Sequence, residues 1–150
     1  MKVAKHIWKK VVLPTVAATS AMTWCSYVAS HLAQNQFREP ELLQQLFSRK
    51  QPAGQPPVVG FLLHYLAGIG FTSLYQYGWK KAVHLPPVPD GLGYGALSGL
   101  IGVAMWKVMF ATHSSPPDIN FKKYLVHLWV VHLAYGVVLS QTASSSATSE

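Results

Sequence analysis

Acidic residues are almost missing from this chain, five among 150 against twelve lysines and arginines. Glu39, Glu41, Asp90, Asp118 and Glu150 all fall outside the apolar runs. The sequence therefore offers no carboxylate at membrane depth and no evident centre for a transporter driven by a buried acid. Cysteine is nearly absent as well. The lone Cys25 excludes an intramolecular disulfide and a four-thiolate metal site within one copy. No phosphate-binding loop, nucleophile elbow or His-Glu-x-x-His pattern occurs. No catalytic residue and no metal site is assigned, and the reading points away from an enzyme.

Charge of either sign is scarce at 11%, well under the roughly one quarter usual in soluble domains, whereas 50% of the residues are hydrophobic. Such a chain needs an apolar solvent. Four segments are long and apolar enough to cross roughly 30 Å of hydrocarbon as helices: residues 11–31, 58–79, 91–112 and 124–141. The expectation is an all-α integral membrane four-helix bundle, a single domain over residues 1–141, with residues 142–150 as a disordered polar tail rich in Ser, Thr and Ala. The net charge of +7 lies mostly outside the spans and suits anionic lipid headgroups rather than nucleic acid.

The first span carries Thr15, Thr19, Thr23, Ser26 and Ser30 at spacings of three and four, a polar stripe that should face other helices. Lys9 and Lys10 ahead of an apolar stretch ending in Ala29 and Ser30 also have the outline of a secretory leader. Between the first two spans, residues 40–50 read as a short interfacial amphipathic helix. Leu42, Leu43, Leu46 and Phe47 share one face there, Pro40 sits in the first turn, and Glu39 and Glu41 precede Arg49 and Lys50 as the helix dipole favours. Asp90 is placed to cap the third span, and Asp118 or Asn120 the fourth. Aromatic belts are expected from Trp8, Tyr75, Tyr77 and Trp79 at one face and Trp106 and Tyr124 at the other.

Helices in lipid associate largely through close backbone approach at small residues. Gly91, Gly95 and Gly99, spaced by four, make a groove on the third span, which should be the central helix, and Gly60 and Gly68 do the same on the second. The groove could equally face a second copy or another membrane subunit. Lysines and arginines divide six to six between the two sides, and the lysines ahead of the first span favour both termini in the cytoplasm.

The ionisable residues within the spans are His64, Lys107, His127 and His132, each a candidate functional group. Lys107 can snorkel to the interface. With His31 and His113, the histidines gather towards one membrane face. His64 and His132, each with a glycine one turn along, have the outline of a bis-histidine b-type haem site, with His127 as a further cofactor candidate. A proton relay, or simple hydrogen bonding between helices, fits the same residues.

The stretch from Met105 to Tyr124, containing His113, Pro116 and Pro117, and the elements His132, Tyr135 and Gly136 resemble the last two helices of small, functionally unassigned four-helix bacterial inner-membrane proteins, loosely the YagU-like group. The resemblance covers about the last third of the chain. It implies a bacterial inner-membrane location and transfers no catalytic residue. The functional expectation is a non-catalytic accessory or scaffold component of a membrane complex or homo-oligomer. Alternatives are a haem-binding electron carrier and a permeation path for a small solute along the Ser and Thr stripe.

Overall fold

A computed structural model describes residues 7–48 and 55–148. Lys2, Lys5, Arg49 and Lys50, which entered the charge count and the expected short helix, lie outside the described residues. The described chain is all helix: α1 (Trp8–Ala33), α2 (Glu39–Phe47), α3 (Val58–Ala82), α4 (Pro87–Thr112) and α5 (Phe121–Thr148). The four long helices are each long and apolar enough to cross a membrane, which makes this a multi-pass helical membrane bundle.

Local chemistry explains the helix ends. Pro40 and Pro87 sit in first turns, where a missing N–H costs nothing; Pro14 follows a π-helical turn in α1, and the Lys10 carbonyl four residues before it accepts from Gln76 Nε2 at 2.8 Å. Gln34 closes α1 in the left-handed region at φ 50°, a conformation used to stop helices. Asn120 caps α5, its Oδ1 accepting from the Lys123 N–H at 3.2 Å. Past Gln141 the helix does not end where the polar tail was expected. It continues to Thr148, with the Thr142 and Ser145 hydroxyls donating to carbonyls one turn back.

The packing order differs from the expectation in one respect. The fourth span, α5, is the central helix, lying against both α4 and α1, while α3 packs on α1 and α2. The Ser and Thr stripe of α1 is buried along its whole length. Gly91 and Gly95 of α4 meet the backbone of α5: a Cβ on Gly95 would stand 2.5 Å from the His132 carbonyl oxygen, and one on Gly91 equally close to that of Gly136. Gly99 lies against Trp129, Gly68 against Thr19, and Gly60 against the Pro40 carbonyl, its N–H donating to Gln44 Oε1 at 3.0 Å.

Three aromatic residues expected in the interfacial belts are core residues instead. Tyr75, Trp106 and Tyr124 are buried, because their rings pack on one another's neighbours: Tyr75 on Tyr94, and Trp106 on Tyr124 with centroids 4.9 Å apart. Trp8 and Tyr77 remain exposed. The short helix α2 also turns inwards. Leu42, Leu43 and Leu46 face the bundle and only Phe47 of that group stays exposed, so α2 closes one end of the bundle and leaves little apolar surface for headgroups.

The close α4–α5 approach gives a direct test. Gly95→Leu should lower the stability of the detergent-solubilised protein by about 1–3 kcal/mol through overpacking. Gly70→Leu should leave it unchanged, since a Cβ there meets nothing within 4 Å. Thermal melts of the two variants beside the parent check this, and equal losses would contradict it.

Candidate functional site

Two buried carboxylates organise the site, and both correct the reading that acids lie away from the bundle interior. Asp90 falls in the first turn of α4, which starts at Pro87, four residues earlier than expected. It is 2% exposed and does not cap the helix. Tyr75 Oη and Trp79 Nε1 on α3 donate to it at 2.5 and 2.7 Å, and Ser140 Oγ on α5 at 3.2 Å. Charge-assisted bonds of this kind are the strong ones. The α3–α4 corner is clamped further by the Tyr94 hydroxyl, which donates to the Phe71 carbonyl.

Clamped at that corner, α3 and α4 do not pack closely along the rest of their length. Towards the opposite end they stand apart over a cavity of about 210 Å³. Its walls come from every helix: Thr19 and Met22 on α1, Leu63, His64 and Phe71 on α3, Met105, Trp106 and Met109 on α4, and Leu128, His132 and Tyr135 on α5. Helix α2 forms the floor with Glu39, Leu43 and Phe47. The exposed Phe47 and Met105 mark its mouth on the lipid-facing surface. A shallow outer groove over Ile101, Ala104 and Val108 shares Met105 and Met109 with it.

Few polar groups line this apolar space, and their hydrogen atoms can be traced. Thr23 Oγ1 donates to the Thr19 carbonyl at 2.8 Å and lies 3.0 Å from His64 Nε2. The hydroxyl proton is thus committed, so His64 Nε2–H donates to Thr23 and its Nδ1 is left as an acceptor. His132 Nδ1–H donates to the Leu128 carbonyl at 2.7 Å. The other edge of that ring lies against Gly102, where a Cβ would stand 3.1 Å from Nε2. Thr19 and Glu39 both line the cavity, and Thr19 Oγ1 and Glu39 Oε2 are buried with no hydrogen-bond partner.

Glu39 is 1% exposed. Ser26 Oγ donates to its Oε1 at 2.7 Å, and His127 Nε2 lies 3.0 Å from the same hydroxyl. Since the Ser26 proton goes to Glu39, His127 Nε2–H is the donor to Ser26. A relay therefore runs from the half-buried His127, stacked on Phe37 at 4.5 Å, through Ser26 to Glu39. Burial pushes the Glu39 carboxyl up from 4.5 to about 8, an effect only partly offset by the Ser26 bond.

The structure thus brings His64 and His132 to one cavity and places His127 on a separate relay. His113 lies elsewhere, its Nε2 3.1 Å from the Leu46 carbonyl, and His31 and Lys107 are exposed. Among the described residues no three His, Cys, Asp or Glu side chains converge as metal ligands. Of the His132 ring nitrogens Nδ1 is held by the Leu128 carbonyl, and Nε2 lies beside Gly102, which has no side chain. Glu39, Asp90 and Thr19 were missed in sequence. A signal for Glu39 was present in its position at i−3 to Leu42, on the apolar face of its own helix.

No family model, curated protein or solved structure matches the chain.

The raised carboxyl has a stability consequence. Between the unfolded value near 4.5 and the folded value of about 8, the folded state holds a proton that the unfolded state has lost. The contribution of Glu39 is therefore full below the lower value and declines as pH rises, by roughly 1.4 kcal/mol per unit, until the upper one. Subtracting the melting profile of Glu39→Gln from that of the parent between pH 5 and 8.5 should show this decline. A flat difference would contradict it.

Proposed function

We propose that this chain is a ligand-binding membrane bundle without catalysis of its own, an accessory protein of a bacterial inner membrane that takes a small, largely apolar molecule sideways from the bilayer. The observation that carries this reading is the cavity between α3 and α4, with Phe47 and Met105 at its lipid-facing mouth. An apolar void of this size loses dispersion contacts unless something fills it. Few and well-separated polar groups on apolar walls are the usual make-up of a ligand pocket. Aromatic and thioether side chains adapt to varied ligand shapes, and Trp106, Phe71, Met22, Met105 and Met109 supply them here.

The neighbouring features fit the same role. The outer groove on α4 gives an apolar path to the mouth. The α4–α5 contact and the Asp90 clamp hold three of the walls in place, so the pocket exists before a ligand arrives and little ordering is needed on binding. A solute path along the α1 stripe would need Thr15, Thr19, Thr23, Ser26 and Ser30 to open to water, and all are buried.

Ala67 lines the cavity from α3 and gives the test. Native mass spectrometry of the protein released from mild detergent should show the parent carrying one small apolar molecule. Ala67→Phe, which fills the cavity, should cut that occupancy at least tenfold while the variant still melts cooperatively. A parent that carries nothing, and takes up no benzene-sized aromatic when one is added, would sink the reading.

A further inference from the structure

We propose that the cavity selects hydrophobic amines, the ammonium N–H of the ligand docking on Glu39 Oε2 as the Glu39 proton passes to the amine; this rests on the ligand-binding reading above.

The geometry singles out one atom. Glu39 lines the cavity floor, and of its two carboxyl oxygens Oε2 is fully buried without a partner while Oε1 is held by Ser26. A buried carboxyl oxygen without a donor is a costly arrangement that a ligand donor relieves. The facing walls are aromatic and thioether surfaces, Trp106, Phe71, Met22 and Met105. These accept the alkyl or aryl body of an amine, and ring faces attract a cation directly. His64 Nδ1, left as an acceptor by the Thr23 bond, is a second acceptor on the cavity wall. Among the described residues neither Lys nor Arg lines the space.

Titratable groups among the described residues face Glu39 from several helices. On α2 itself Arg38 is paired with Glu41 at 2.7 Å and lies over the Tyr27 ring of α1. From α5 come the Tyr124 hydroxyl, also without a partner, and His127 behind Ser26. His64 on α3, with His132 and Tyr135 on α5, line the cavity, and α4 contributes no titratable group to it. No cation in this set competes with the ligand for Oε2.

The proton balance is simple. Near neutral pH the empty site holds Glu39 as the acid, since burial raises it to about 8, and the free amine is already an ammonium ion. Docking forms a carboxylate–ammonium pair and leaves one proton over. That proton goes to water: the ammonium ion sheds it on leaving the aqueous phase, and the neutral amine then takes the Glu39 proton inside the cavity, so one proton is released for each amine bound. No other bond is made or broken.

N,N-dimethylbenzylamine and its neutral carbon isostere isobutylbenzene separate the parts. The full chain in lipid nanodiscs is titrated calorimetrically with each, against empty nanodiscs, in buffers of different ionisation enthalpy. The amine should bind with release of about one proton, and its affinity should rise about tenfold per pH unit from pH 6 towards 8. Isobutylbenzene should bind without proton release or pH dependence. Glu39→Gln should keep isobutylbenzene, which shows that the variant is folded, and should lose at least tenfold in amine affinity together with the pH dependence. If both compounds bind alike and no proton is released, the cavity reading stands and the amine reading is overturned. If neither binds, both fall. Should Glu39→Gln not fold, the proton count on the parent protein still decides.

Discussion

The arrangement depends first on Asp90. One carboxylate at the head of α4 gathers donors from α3 and α5, and in a low-dielectric interior such bonds are both strong and costly to leave unmade. They tie α3 and α4 together beside the short turn that joins them. The two helices then diverge, because α4 follows α5 through Gly91 and Gly95 whereas α3 follows α1 and α2 through Gly68 and Gly60. A cavity at the far end is the geometric result of one clamp and two different partners.

The same logic accounts for how a poorly amphipathic chain fixes its helices. Hydrophobicity alone cannot orient a helix in lipid, since tails and side chains are equally apolar. Orientation comes from the small and polar residues. The buried stripe of α1 presents Thr19 and Thr23 to α3 and Ser26 to α2 and α5, so one helical face serves the cavity wall, the His64 tautomer and the Glu39 relay together.

Much of the fold was legible in the sequence. The four spans follow from length and apolar content, and the burial of the α1 stripe from its spacing. The meeting of glycines with a neighbouring backbone follows from small-residue register, although the partner helix does not. Which span lies at the centre depends on pairings between segments distant in sequence, and α5 was not distinguishable from α4 by composition. The aromatic residues misplaced in the belts show the same limit. Tyr75 sits near a span end as a belt residue would, yet a buried acceptor fifteen residues on draws its hydroxyl inwards.

The candidate site was less legible. His64 and His132 were singled out by depth, but their tautomers and the cavity between them depend on Thr23, Leu128 and Gly102. Glu39 reads in sequence as an acid at the head of an interfacial helix, placed there by the helix dipole. Its burial arises only when α2 folds back over the open end of the bundle. The most direct test of the account is diffraction at the bromine edge from crystals of the full chain grown in lipid with bromobenzene. A single strong anomalous peak ringed by His64, Phe71, Met105 and Trp106 is the predicted result. Helices α3 and α4 packed side by side, with no peak between them, would contradict it.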